Sequence, residues 1–191
     1  MPRKPRDVEQ GIHHVWVNAT GHGRYFEDDS DRLTWIRLLV RVLDVHGCSC
    51  VAFCQMTTHV HLLLDVPRGV LPAAMRDLNR EYAKEFNALH ARLGALDRKR
   101  YGSRRAGSDA DLLGLFAYVV LNPVSEGMCL RAEEWPWSSY RTTVGLDSAF
   151  PFVDGRAVLA AAGGRRGLRR LVAGQARSRA RNDGYQVPVV S

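Results

Sequence analysis

The eight residues Thr58 to Asp65, T-H-V-H-L-L-L-D, constrain the fold more than any other stretch. Successive side chains of a β-strand point to opposite faces. In a strand, His59, His61, Leu63 and Asp65 therefore share one face, and Val60, Leu62, Leu64 and Val66 share the other. The second set is wholly aliphatic, so it must cover a core. The first set places two imidazoles side by side. Such a pair can grip one divalent ion and leave other coordination positions open, as a catalytic metal requires. It can equally pack or hydrogen-bond at a sheet edge, and two residues alone do not decide between these.

The rest of the chain supplies partners for that strand. Ile12 to Thr20 alternates and is β-branched, which predicts a first strand. Asp29, Ser30 and Asp31 offer N-caps for a helix ending at Gly47, with Leu33, Ile36, Val40 and Leu43 as its apolar face. Cys48 to Gln55 predicts a strand that forms a hairpin with the histidine strand. Pro72 suits the start of a second helix, with Met75, Leu78, Tyr82, Phe86 and Leu89 facing inward and Gly94 at its end. The segment near Arg100 to Arg104 is the best position for a last strand. Ser108 or Asp109 caps a third helix, Ala110 to Leu121, stopped by Pro123. The aromatic turn E-E-W-P-W-S-S-Y, Glu133 to Tyr140, reads as a packed plug. Val158 to Ala162 and Leu168 to Val172 read as short helices, and the last ten residues as disordered. This order predicts an α+β sandwich, a mostly antiparallel sheet with helices packed on it.

Composition bears on the partner. Lys plus Arg is 27 and Asp plus Glu is 20, for a net charge of +7 and a pI near 9.6. Such a basic excess favours a polyanion. Arg98, Lys99, Arg100, Arg104 and Arg105 cluster around Tyr101, so charges for phosphates surround a ring on which a base can stack. No apolar run reaches transmembrane length and the first residues lack a signal-peptide core, so the expected location is cytoplasmic, with no membrane partner. Cys48, Cys50 and Cys54 lack the paired spacing of a zinc site and in a strand share one face, which suggests buried small hydrophobes.

Tyr118 and Asn122 are four apart and would project together from one helix face. Asn122 can be a third ligand beside His59 and His61 while the Tyr118 phenol attacks a phosphate. A free phenol ionises near pH 10, a deficit of roughly 4 kcal/mol at neutral pH. A metal that polarises the phosphate and favours phenolate supplies part of it. The remaining tyrosines are weaker candidates: Tyr82 lies on an apolar face, Tyr101 and Tyr140 suit stacking or packing, and Tyr25 and Tyr185 fall in segments that read as exposed.

Taken in order, several stretches resemble the single-tyrosine HUH transposases, specifically the REP-associated tyrosine transposase group. H-H-V-W-V-N-A-T-G-H-G-R-Y-F resembles that family's first strand and turn, and M-T-T-H-V-H-L-L-L its histidine signature. E-Y-A-K-E-F-N resembles its second helix, Arg100-Tyr101 its basic-aromatic segment, Y-V-V-L-N-P-V-S-E-G its tyrosine motif, and W-P-W-S-S-Y follows in place. The resemblance covers about residues 12–143, leaving a basic arm at 1–11 and an Arg-rich extension, partly disordered, at 144–191.

It implies a ferredoxin-like (RRM-like) fold of the HUH nuclease type. His59 and His61 match the metal ligands, Asn122 a position that can complete the metal shell, and Tyr118 the nucleophile. The implied activity is cleavage of single-stranded DNA beside hairpins, with a 5′-phosphotyrosine link and a free 3′-OH, followed by strand transfer. Mg2+ or Mn2+ is the implied cofactor, and the protein is a monomer or a homodimer. Thr57 stands where proline is usual, Asn18-Ala19-Thr20 replaces Arg-Gly-Asn, and Asp97 replaces a frequent aromatic. These departures touch DNA contacts and loop shape, not the matched catalytic residues. The alternative is a module that binds hairpin or single-stranded nucleic acid without cutting it.

Overall fold

The computed structural model describes residues 9–20, 23–96 and 101–182. Its first six elements run β1 (Gly11–Asn18), α1 (Asp29–His46), β2 (Ser49–Gln55), β3 (His59–Val66), α2 (Leu71–Leu89) and β4 (Gly102–Arg105). The sheet order is β2-β3-β1-β4 and every pairing is antiparallel. That βαββαβ order is the ferredoxin-like topology. There follow α3 (Asp109–Val120), α4 (Asn122–Ser125), a 3-10 turn (Ala132–Glu134), α5 (Tyr140–Thr143), α6 (Arg156–Ala161) and α7 (Arg165–Asn182). None of the described helices is long and apolar enough to cross a membrane.

The sheet has a core on each face. Val15, Val17, Val60, Leu62, Leu64 and Val66 face α1 and α2. Leu63, Ala52 and Cys54 face α3, α6 and α7. The alternation of β3 thus separates an aliphatic face from the face that carries the histidines. A bulge modifies this rule on β2. Cys50 pairs with Leu64 and Ala52 with Leu63, so one extra residue enters β2 between them. It reverses the facing of everything after it. Cys48 and Cys50 lie in the first core but Cys54 in the second, so the three thiols are buried without sharing a face.

Helix boundaries follow local chemistry. Asp28, one residue before the predicted caps, accepts the Asp31 N–H at 3.0 Å and starts α1. Gly47 ends it in the left-handed region, φ 63°, where a side chain would be strained. Its buried stripe is Trp35, Leu38, Leu39 and Leu43, whereas Leu33 is 57% exposed and Val40 is also exposed. The aromatic Trp35 draws the helix round so that its largest side chain is inside. In α2, Met75, Leu78, Tyr82 and Phe86 are buried as predicted, but Leu89 is exposed and the helix ends there, before Gly94. Tyr25 is buried against Phe26 and Tyr82, not in an exposed segment. Tyr82 donates its hydroxyl proton to the Tyr25 carbonyl at 2.7 Å.

The W-P-W segment covers the outer edge of β2. Ser139 Oγ accepts the Phe53 N–H at 3.0 Å, the Gln55 N–H donates to the Trp137 carbonyl, and Trp135 Nε1 donates to the Gln55 carbonyl. An exposed strand edge would otherwise invite pairing with another chain. Arg32 completes the clasp from α1. Its guanidinium sits among the rings of Phe26, Trp135 and Trp137 and donates to the same Gln55 carbonyl at 3.1 Å. At the end of the chain, α7 is one eighteen-residue helix, longer than the predicted short one, and it buries Leu168 and Val172.

Candidate active site

Strand register builds the site. On β1, His14 and Trp16 lie opposite Leu63 and His61, so these four share a face with His59. Across the gap, Ser108 caps α3 by accepting the Asp111 N–H, and α3 carries Tyr118 near its end. Pro123 lacks an N–H and its ring disfavours a continuing helix, so α3 stops and α4 starts a new turn at Asn122. Asn122 Nδ2 donates to the Tyr118 carbonyl at 2.9 Å. That bond fixes the side-chain amide against the end of α3.

The predicted groups converge within one chain. The His59 and His61 ring centres are 4.9 Å apart, and the Tyr118 ring stands edge-on to His61 at 5.3 Å. Asn122 lies close enough to both imidazoles to favour their charged forms, against the larger opposing effect of burial. Asn122 and His61 are buried, whereas Tyr118 is 42% exposed, so a large substrate can reach the phenol.

A third histidine, absent from the sequence expectations, completes the geometry. His14 Nε2 lies 3.0 Å from His61 Nδ1. The His14 ring also stacks on His61 at 5.1 Å and meets Tyr118 edge-on at 5.5 Å. With the proton on His61 Nδ1, Nε2 keeps its lone pair for a cation. His59 is held in the same sense, with Nδ1 3.0 Å from Thr58 Oγ1. Burial lowers the pKa of His61 to about 3 and that of His14 to about 4, and lowers that of His59. All three are therefore neutral at neutral pH, the form that metal coordination needs. Two imidazole nitrogens and one amide oxygen, each oriented by a further hydrogen bond, fit a small divalent cation. Among the described residues no group of three His, Cys, Asp or Glu side chains could hold a metal, so the set depends on the amide. Glu126, on the next turn, brings a carboxylate oxygen to 3.9 Å from His59 Nε2.

The expected DNA-binding segment divides. Arg98, Lys99 and Arg100 lie outside the described residues. Tyr101 is only 8% exposed and belongs to the core beneath α2, so it does not offer its face to a base. Its position at the start of edge strand β4 draws it inward. Arg104 and Arg105 are exposed on β4, and Arg104 is tied to Asp111 by bonds of 3.0 and 2.6 Å. Arg104 lies opposite His14 and adds to the depression of its pKa. A second basic group reaches the site from α7, where the Arg179 guanidinium carbon lies 5.5 Å from the centre of the Tyr118 ring.

No protein-family model matches the chain. A Haemophilus influenzae protein named for the REP-associated tyrosine transposases is 28% identical over 105 residues. The match spans 49% of this chain and 60% of that protein. A solved REP-associated tyrosine transposase, bound to a REP hairpin, superposes with a TM-score of 0.66 at 15% identity, covering 83% of this chain and 93% of that one. A tRNA(His) guanylyltransferase from Saccharomyces cerevisiae superposes with a TM-score of only 0.47 at 7% identity, too weak a likeness to argue from. The chain is similar in sequence to a protein named for the REP-associated tyrosine transposases, and it has the fold of a solved one.

Proposed function

We propose that this chain is a metal-dependent single-stranded DNA endonuclease and strand transferase that works beside hairpins through a covalent bond to Tyr118. The observation that carries the reading is the packing of the Tyr118 ring against His61 and His14, with Asn122 bonded to the Tyr118 carbonyl beside them, in a single chain. The hairpin bound to the solved structural relative supports the substrate class.

In the proposed step the Tyr118 oxygen attacks a backbone phosphorus. The Oη–P bond forms and the P–O3′ bond breaks. The phenolic proton leaves to water, which the exposed ring admits, and the departing 3′ oxygen takes up a proton. The products are a 5′-phosphotyrosine and a free 3′-OH. A second strand's 3′-OH reverses the step without ATP, because the phosphodiester energy is retained in the link. His59, His61 and Asn122 would hold Mg2+ or Mn2+, which when bound polarises the phosphate and stabilises developing negative charge. His14 and Thr58 orient the two imidazoles, and the Tyr118 carbonyl orients the amide.

The test is incubation with single-stranded hairpin DNA from the gene's own flanks, in Mg2+ or Mn2+, followed by denaturing electrophoresis. The expected result is a protein–DNA adduct that Tyr118→Phe abolishes while thermal unfolding is unchanged. Adduct formation by the Phe variant contradicts the assignment. The dependence on an amide for the third ligand position favours one alternative, a module that binds hairpins without cutting. Tight, salt-sensitive binding with no cleavage in either metal would establish it.

A further inference from the structure

We infer that Arg179 is a further catalytic residue of this site, one that holds the scissile phosphodiester against Tyr118. The inference rests on the proposed cleavage reaction.

Helix α7 carries one buried apolar stripe. Leu168 and Val172 are buried and face α3 and α6. Continuing that stripe at helical spacing leads to Gln175 and then to Arg179. A helix that only packed would carry an apolar residue at the last inward position. Arginine stands there instead, with a half-buried side chain. Its contacts include the nucleophile's ring and the neighbouring turn. The guanidinium carbon lies 5.5 Å from the centre of the Tyr118 ring, and Nη1 donates to Ser125 Oγ at 2.9 Å. Ser125 is the last residue of α4, the turn that begins with Asn122. One side chain thus spans the nucleophile and the turn of the third ligand.

The chemistry suits this placement. A phosphodiester under attack gathers negative charge on its non-bridging oxygens. A planar guanidinium matches those oxygens in shape and charge and cannot be deprotonated. The rest of α7 points to a phosphate-bearing partner as well. Its eighteen residues hold seven arginines and no acid, and Arg165, Arg166, Arg169, Arg170 and Arg177 are exposed. Such a helix carries a strong positive field. Arg179 differs from these five in facing the nucleophile.

The experiment measures the initial rate of adduct formation on a hairpin oligonucleotide in Mn2+, together with the affinity for the uncut hairpin. The variants are Arg179→Ala, Arg179→Lys and Arg179→Leu. Leu continues the buried stripe, so that protein folds even if the Ala variant does not. The Ala and Leu variants are expected to lose about 100-fold in rate while still binding the hairpin. Lys restores part of the rate, and added guanidinium ion restores part of it to Ala. A wild-type rate for the Leu variant overturns the inference. Faster adduct formation also overturns it, and makes α7 a brake. If the unaltered protein forms no adduct, the cleavage reading itself fails, and this inference with it.

Discussion

Replacing His14 with Phe removes one hydrogen-bond acceptor from beneath the site and little else. The ring contacts to Trp16, His61 and Tyr118, at 5.1, 5.1 and 5.5 Å, are of a kind that Phe can keep. What is lost is the 3.0 Å bond to His61 Nδ1, in a buried pocket. A buried polar group left without its partner costs about 1–3 kcal/mol, so stability should fall by an amount in that range. The larger effect concerns the tautomer. Without an acceptor at Nδ1, the His61 proton is free to move to Nε2, the atom assigned to the cation. Loss of such an orienting partner lowers metal affinity about 10- to 100-fold. Calorimetric titration of Mn2+ into the DNA-free protein measures this directly, and nitrogen NMR of His61 reads the tautomer. His14→Gln, which keeps an acceptor, should recover part of the affinity. Unchanged Mn2+ affinity in His14→Phe, with His61 still protonated at Nδ1, would refute the reasoning.

The histidine pKa shifts set a pH dependence. Folded His61 and His14 titrate near 3 and 4, and His59 is also lowered, all against an ordinary value of 6.5. The unfolded chain therefore binds more protons as pH falls below 6.5. Stability is full above that pH and declines toward 4, by something on the order of several kcal/mol. Urea midpoints in EDTA between pH 7.5 and 4.5 test this, and a flat profile contradicts it. Gly102 on β4 lies opposite Trp16, and an added Cβ would overlap the indole. Gly102→Ala should destabilise by about 1–3 kcal/mol and also weaken Mn2+ binding, since the Trp16 ring packs against His14 at 5.1 Å; denaturant titration and calorimetry report the two effects. Tyr101→Ala should cost about 3 kcal/mol of stability and leave the DNA affinity of the folded protein unchanged, as a binding isotherm taken well below the unfolding temperature would show.

Most of the sheet was legible because its signal is periodic. The alternation of β3 separated core face from site face, and the hairpin with β2 followed from the short connection at Met56–Thr58. The last strand, expected near Arg100 to Arg104, is Gly102–Arg105. Features that depend on one inserted residue were not legible. The β2 bulge reversed the facing of Cys54, and no composition marks a bulge. Helix faces erred where aliphatic spacing competed with an aromatic, as Trp35 prevailed over Leu33 and Val40. Tyr101 was misread because charge density around a ring resembles a nucleic-acid stacking segment, whereas its burial depends on its place just before β4.

In the site, His59, His61, Tyr118 and Asn122 were each visible as spacings, and the fold brings them together. His14 was missed although its signal was present. It is an imidazole two residues before Trp16 on the first strand, on the face that antiparallel pairing turns toward His61. Arg179 was hidden by its neighbours, since a run of arginines does not mark the one that faces inward.

The measurement that bears most directly on the whole account is proteolysis and mass spectrometry of the protein after reaction with a hairpin oligonucleotide in Mn2+. The expected result is one modified peptide, containing Tyr118, that carries a nucleotide through its 5′ phosphate, with a free 3′-OH on the released fragment. A modification on any other residue, or cleavage that leaves the protein unmodified, would contradict it.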